Sequence, residues 1–223
     1  MTALRSTTMP KPASERRALL KTALIDAAEA IIARDGLAAL RARDLAAAAG
    51  CALGAIYNAF EDLDAIVYAV NMRTLALLDR DLGEAMRRKS AAGDIAEDRD
   101  VGPDGGRLVR LSLAYLAFAA THGPRWQALF EHRLRPGQTV PPWYLAEQNR
   151  MFRLVEEPLR AIRPGLAADR LSQLARTVFS AVHGVVSLGL EQKLGRIPPR
   201  RLRKQTAGIV MAIAWGLRDD GCG

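Results

Sequence analysis

At 223 residues, with 49% hydrophobic and 25% charged side chains, the chain suits one large domain or two small ones and is too apolar for wholesale disorder. Aromatic residues make up only 5%, Ala and Leu recur throughout and β-branched residues are sparse, which weighs against a sheet and favours helices packed on helices. The net charge of +8 and a pI near 10.1 invite a polyanionic partner, although a merely solvated basic face gives the same number. The excess is local: residues 1–43 carry eight Lys/Arg against four Asp/Glu, whereas residues 44–64 carry four acids and no base. Met1–Ser14 lacks the apolar core of a secretory signal. The longest apolar runs, Val178–Leu190 and Ala207–Leu217, are shorter than the roughly 20 residues of a membrane span and are interrupted by Gly, Ser or His. Cys51 and Cys222 are the only cysteines and do not suggest a disulfide framework, so a reducing cytoplasm is the expected compartment.

In chain order, residues 1–13 read as a flexible basic arm, with Ser14 as the N-cap of a first helix. Leu20, Leu24, Ala27, Ala28, Ile31 and Ile32 recur at helical spacing up to Gly36. Short helices are predicted at Arg43–Ala49 and Leu53–Phe60, and a long connecting helix over 62–89 carries Ile66, Val67, Val70, Leu75, Leu78 and Leu82 on one stripe. Ser90–Gly106 holds four Gly, one Pro and five acids and reads as a loop. Further helices are predicted at Arg107–His122, Arg125–Leu134, Trp143–Ile162 (kinked or divided by Pro158), Ala168–Leu194 and Pro199–Leu217. The expectation is an all-α chain of about nine helices. Residues 14–61 are expected to form a three-helix N-terminal domain, and residues 107–223 a second, C-terminal helical domain.

The informative stretch runs from Leu45 to Phe60. Two short helices meet at a turn in which Ala49 is small enough for a close crossing and Gly50 can take positive φ, the requirements of a helix-turn-helix. Leu45, Ile56 and Phe60 would pack this unit on the first helix, leaving Leu53, Gly54, Tyr57 and Asn58 to face bases and phosphates in a major groove. An αα-hairpin without a nucleic-acid role is the plainer alternative. Gly36, Leu45-Ala46, Ala49-Gly50, Ile56-Tyr57 and Phe60, at these intervals, resemble the N-terminal domain of the tetracycline-repressor (TetR) family of bacterial transcriptional regulators. The resemblance spans Arg16–Leu77 and implies double-stranded DNA as partner, with Tyr57 as a phosphate contact. Arg41 stands where the family usually caps the first motif helix with Thr or Ser. Ala52-Leu53-Gly54-Ala55 replaces its usual Ser-x-Gly-Thr, and Leu63 replaces a phosphate-binding Lys. With Ala52, Leu53 and Ala55 apolar and Asn58 suited to adenine edges, an A/T-leaning site is expected. Affinity would then come largely from Arg41, Arg43 and the arm at Arg5, Lys11, Arg16 and Arg17.

In the C-terminal part, Tyr115–Ala120, Gly123-Pro124, Ala128–Phe130 and Ala181–Val186 resemble the regulator subgroup with a Trp-His-Gly signature, Val182 standing in place of its Trp. Tyr115, Phe118, Trp126, Phe130, Trp143, Tyr144, Met151, Phe152 and Phe179 are candidates to line an effector pocket, with plain core packing as the alternative for each. His183 reads as either a core histidine or a ligand contact. Val178, Val182, Val185, Val186 and Leu190 form one stripe and Ile209, Ile213 and Leu217 another. Together with the small residues Gly184, Gly189, Gly208, Ala212 and Gly216 they suggest a four-helix dimer interface. The basic cluster Lys193, Arg196, Arg200, Arg201, Arg203 and Lys204 reads as a solvated turn, with an anion or membrane contact as the lesser reading.

No nucleophile elbow, P-loop, dinucleotide fingerprint or H-E-x-x-H is present, and His122, His132 and His183 lack metal-ligand spacing, so neither enzyme, cofactor nor metal is expected. The expected function is a homodimeric repressor of a palindromic operator, released by a small apolar effector. A dimeric adaptor that has lost DNA recognition is the alternative.

Overall fold

The computed structural model describes residues 12–87, 102–133, 137, 139–193 and 195–219. Residues 1–11 of the basic arm, most of the predicted loop at 90–106 and Cys222 lie outside the described residues, whereas Arg16 and Arg17, counted with the arm, belong to the first helix and are exposed. Those described form nine α-helices and one 3-10 turn, with no strand among them.

Helix α1 (Ala13–Asp35) buries Leu24, Ala28, Ile31 and Ile32. Ser14 is not its cap: Pro12 occupies that position and Ser14 lies inside the first turn, where Glu15 offsets the positive end of the helix dipole. The chain leaves α1 through Gly36 at φ 82°, passes the 3-10 turn Leu37–Ala39 and enters α2 (Ala42–Ala48) and α3 (Leu53–Ala59). Between α2 and α3, Gly50 sits at φ 65°, its N–H donating to Ala47 O at 3.2 Å and that of Cys51 to Ala46 O at 3.0 Å. This paired closure stops α2 within one residue and needs a glycine at the left-handed position.

Helix α4 (Leu63–Arg87) is capped by Asp62, whose Oδ1 accepts the Ala65 N–H at 2.8 Å. Helix α5 (Gly102–Thr121) begins five residues earlier than the loop prediction allowed. Gly102-Pro103 had the look of a breaker, but proline in a first turn gives up only a donor that has no partner there, and Asp104 meets the dipole. Gly105 and Gly106 are buried in that turn. Helix α6 (Gly123–Glu131) follows, with Pro124 in its first turn. Helix α7 (Pro142–Ile162) is not divided by Pro158, which falls near its C-terminal end, where buried Pro158 and Leu159 anchor the last turn. Helices α8 (Ala168–Leu190) and α9 (Pro199–Asp219) complete the chain.

Two principal cores result. The first packs Leu24, Ile32, Leu45, Ile56, Ile66 and Val70 from α1 to α4, together with Ala128 of α6. The second is larger and unites α4, α5 and α7–α9 around Val109, Phe118, Leu159 and Leu171. Tyr68, Leu75, Leu129 and Tyr144 form a smaller cluster of their own. Gly189 belongs to contacts within the chain: a Cβ there would collide with Leu202 Cδ1, so its absence lets α9 close on α8.

Candidate DNA interface and ligand cavity

The helix-turn-helix presents its predicted contact residues outward. Ile56 and Leu45 are fully buried, which turns the opposite face of α3 to solvent, with Leu53 43% and Tyr57 54% exposed. Gly54, Asn58, Ala52, Arg41 and Arg43 are also exposed, and Ala55 is half-buried. Neither Arg41 nor Ala52 makes a side-chain cap to the helix it precedes, as expected where hydroxyl residues are replaced. Lys21 lies 5.4 Å from the centre of the Phe60 ring, a cation over an aromatic face that fastens the end of α3 to α1.

The second core encloses a cavity of about 260 Å³, almost wholly apolar. Of the predicted candidates, Tyr115, Phe130, Met151, Phe152 and Phe179 line it. The others do not. Phe118 is buried against His122, ring centres 4.7 Å apart. Trp143 is 52% exposed, and Tyr144 packs on Tyr68 at 4.9 Å. Trp126 and His183 stand one layer back. Aliphatic lining from α4 (Leu75, Leu78, Leu82) was visible in the sequence only as an amphipathic stripe, because a leucine facing a cavity and one facing a packed core have the same spacing.

Behind Tyr115 runs a polar chain across three helices. Trp126 Nε1–H donates to the Tyr115 hydroxyl oxygen at 2.8 Å, and that hydroxyl lies 2.8 Å from His183 Nδ1. With its oxygen receiving the indole proton, the phenol satisfies its own O–H by donating it to His183, which then accepts as a neutral ring. Burial pushes the Tyr115 hydroxyl well above the ordinary range and pushes His183 below its ordinary 6.5, with Glu191 opposing the latter weakly. A depressed folded value means that the unfolded chain takes up the proton first. The stabilisation is therefore complete above 6.5 and is lost as pH falls through the lower folded value. Thermal melts across about pH 8 to 5 are expected to show this loss in the wild type and a smaller one in His183→Asn. Equal acid slopes would remove His183 as its source.

Three residues of the predicted dimer stripe turn inward. Val178, Val182 and Val186 are 4%, 5% and 0% exposed and face the chain's own core, Val178 and Val182 lining the cavity. Val185, Leu190, Ile209, Ile213 and Leu217 are half-buried at its edge. The outward faces of α8 and α9 carry the predicted small residues Gly184, Gly208, Ala212 and Gly216, the glycines open to space where a Cβ would point, together with Leu188 and Trp215, which were not predicted. The inward stripe was the more hydrophobic of the two, and periodicity does not tell which of two apolar faces turns inward. Arg196, Arg200, Arg201, Arg203 and Lys204 are exposed, and Lys193 pairs with Glu191.

Two helices belong to both halves. On α4, Ile66 and Val70 sit in the N-terminal core while Leu75, Leu78 and Leu82 wall the cavity. On α6, Ala128 is buried in the N-terminal core and the next residue, Leu129, faces the cavity. Asn71 Nδ2 donates to Ala128 O at 3.2 Å, and Glu29 of α1 meets Arg73 of α4 and Arg125 of α6, each at 2.7 Å.

An exposed second helix on a helix-turn-helix is the arrangement of a DNA-binding regulator. A family profile described as bacterial regulatory proteins, tetR family, matches residues 24–70, and one described as tetracyclin repressor-like, C-terminal domain, matches residues 108–207. The chain belongs to the TetR family of transcriptional regulators; the finer Trp-His-Gly subgroup is not part of either description. Among solved structures, a Rhodococcus sp. RHA1 protein of unknown function is similar at 18% identity and TM-score 0.65, covering 95% of this chain and 98% of that one. A TetR-family transcriptional regulator from Bordetella parapertussis 12822 is similar at 19% identity and TM-score 0.56, covering 86% and 93%. PfmR from Thermus thermophilus, also a TetR-family regulator, is similar at 17% identity and TM-score 0.55, covering 86% and 96%. These identities speak to the fold alone. No curated protein matches the chain. Among the described residues no helix is long and apolar enough to cross a membrane.

Proposed function

We propose that the chain is a homodimeric repressor whose α3 helices enter successive major grooves of a palindromic operator, and which a small apolar effector releases. The observation that carries this reading is the sharing of α4 and α6 between the two cores. A ligand that changes the spacing of Leu78 and Leu129 must also move Val70 and Ala128, which pack in one core with Leu45 and Ile56. The effect is a population shift, so the effector binds the DNA-incompetent arrangement more tightly. Dimerisation through the outward faces of α8 and α9 would cover Leu188 and Trp215, the close approach being allowed by Gly184, Gly208 and Gly216. The two α3 helices then read half-sites about 34–36 Å apart.

Selection of sites from randomised DNA by the purified protein tests this reading. A two-fold palindrome with A/T-leaning contacts is expected, with affinity falling steeply as salt rises. No enrichment at low salt would put the adaptor reading in its place. Asn58→Ala is expected to relax base choice at one position by about 1–3 kcal/mol, whereas Arg41→Ala should weaken all sites alike and reduce the salt slope by about one. An unchanged site profile for the Asn58 variant would take that residue out of the readout.

A further inference from the structure

We infer that the cavity takes an amphipathic anion, its apolar body among the leucines and phenylalanines and its carboxylate at the rim on Arg176. The inference rests on the cavity being the effector site. Arg176, Phe179 and His183 fall on one flank of α8, and Phe179 lines the cavity while His183 meets Tyr115 behind it. Positions 176 and 183 are two turns apart, about 10 Å along the helix.

The Arg176 guanidinium is held in place. Its Cζ lies 4.8 Å from the centre of the Phe152 ring, which lines the cavity. Nη1 donates to Ser172 O at 3.0 Å and to Ser172 Oγ, and Nη2 to Asn149 Oδ1 at 2.7 Å. All these partners are neutral. Of five N–H donors, Nε–H and one on Nη2 are unclaimed among the described residues.

The arginines at neighbouring helix junctions differ. Arg73 meets Asp26 at 2.6 Å, Arg107 meets Glu157 at 2.7 Å and Arg150 meets Glu147 at 2.8 Å. Each has its counter-charge inside the chain, whereas Arg176 is ordered by neutral groups over the Phe152 ring and lacks one among the described residues. A guanidinium with two free donors matches the two oxygens of a carboxylate, and the ring it lies over is itself part of the cavity lining. The cavity interior has no cation among its lining residues, so the charge stays at the rim.

Calorimetric titration of the full chain with decanoate and with decanol tests this, since the two share a tail and differ in the head. Decanoate is expected to bind about tenfold more tightly than decanol. R176Q should bring decanoate to the level of the alcohol while leaving decanol unchanged, and R176K should restore most of the difference. A thermal melt of R176Q matching the wild type shows that the fold is kept. Equal binding of the two probes, or decanoate binding untouched by R176Q, overturns the anionic head while leaving the cavity as a ligand site. Binding of neither probe overturns the inference as a whole, and site selection by the ligand-free protein judges DNA binding separately.

Discussion

Ile56→Ala is expected to lower stability by about 2–5 kcal/mol and to abolish operator binding. Ile56 is fully buried beneath the exposed face of α3, in one core with Leu45, Ile32 and Val70. Removing its branched end leaves a void that a helix of seven residues cannot close without rotating. Such a rotation would carry Tyr57 and Asn58 out of register. At roughly 2–4 °C per kcal/mol for a chain of this size, the melting temperature should fall by several degrees. The C-terminal core does not contain Ile56, so decanoate binding should survive at temperatures where DNA binding is gone. An unchanged melt would show that Ile56 does not hold the N-terminal core, and DNA and ligand binding lost in parallel would show that the two cores do not respond separately.

Tyr115→Phe should cost about 1–3 kcal/mol although it removes a single oxygen. That oxygen accepts the Trp126 indole N–H, and Trp126 is only 2% exposed, so the donor would be left without a partner and without water. His183 would lose its hydroxyl partner as well. Burial is what holds the histidine below its ordinary value, so the acid-side loss of stability should persist in this variant. Trp126→Phe deletes the donor too, so the double variant should be less destabilised than the sum of the two single ones. Additive losses would mean that the indole and the phenol do not act as a pair. The same chain connects α6 to the cavity wall, and the melts should therefore be accompanied by DNA titrations.

The helix-turn-helix was legible because its constraints are local. Gly50 is required at positive φ by the turn itself, and the spacing from Leu45 to Ile56 to Phe60 follows from two short helices crossing there. Exposure of Tyr57 and Asn58 follows from burial of Ile56 on a helix of only two turns. The start of α5 was missed because Gly and Pro near 102–106 mark a loop in most settings, but a first turn tolerates both when α9 packs close by.

The sequence by itself determined the all-helical class, the order of the helices and the exposed face proposed to meet DNA, since each depends on residues within one or two turns of one another. Tertiary structure alone decided which stripe of α8 faces inward, that Trp126 and His183 stand behind Tyr115 while Phe118 is plain core, and that Arg176 is ordered over Phe152 by neutral partners. Those outcomes depend on helices far apart in the chain meeting in three dimensions. Hydrophobic spacing states that a face is buried, and only packing states against what.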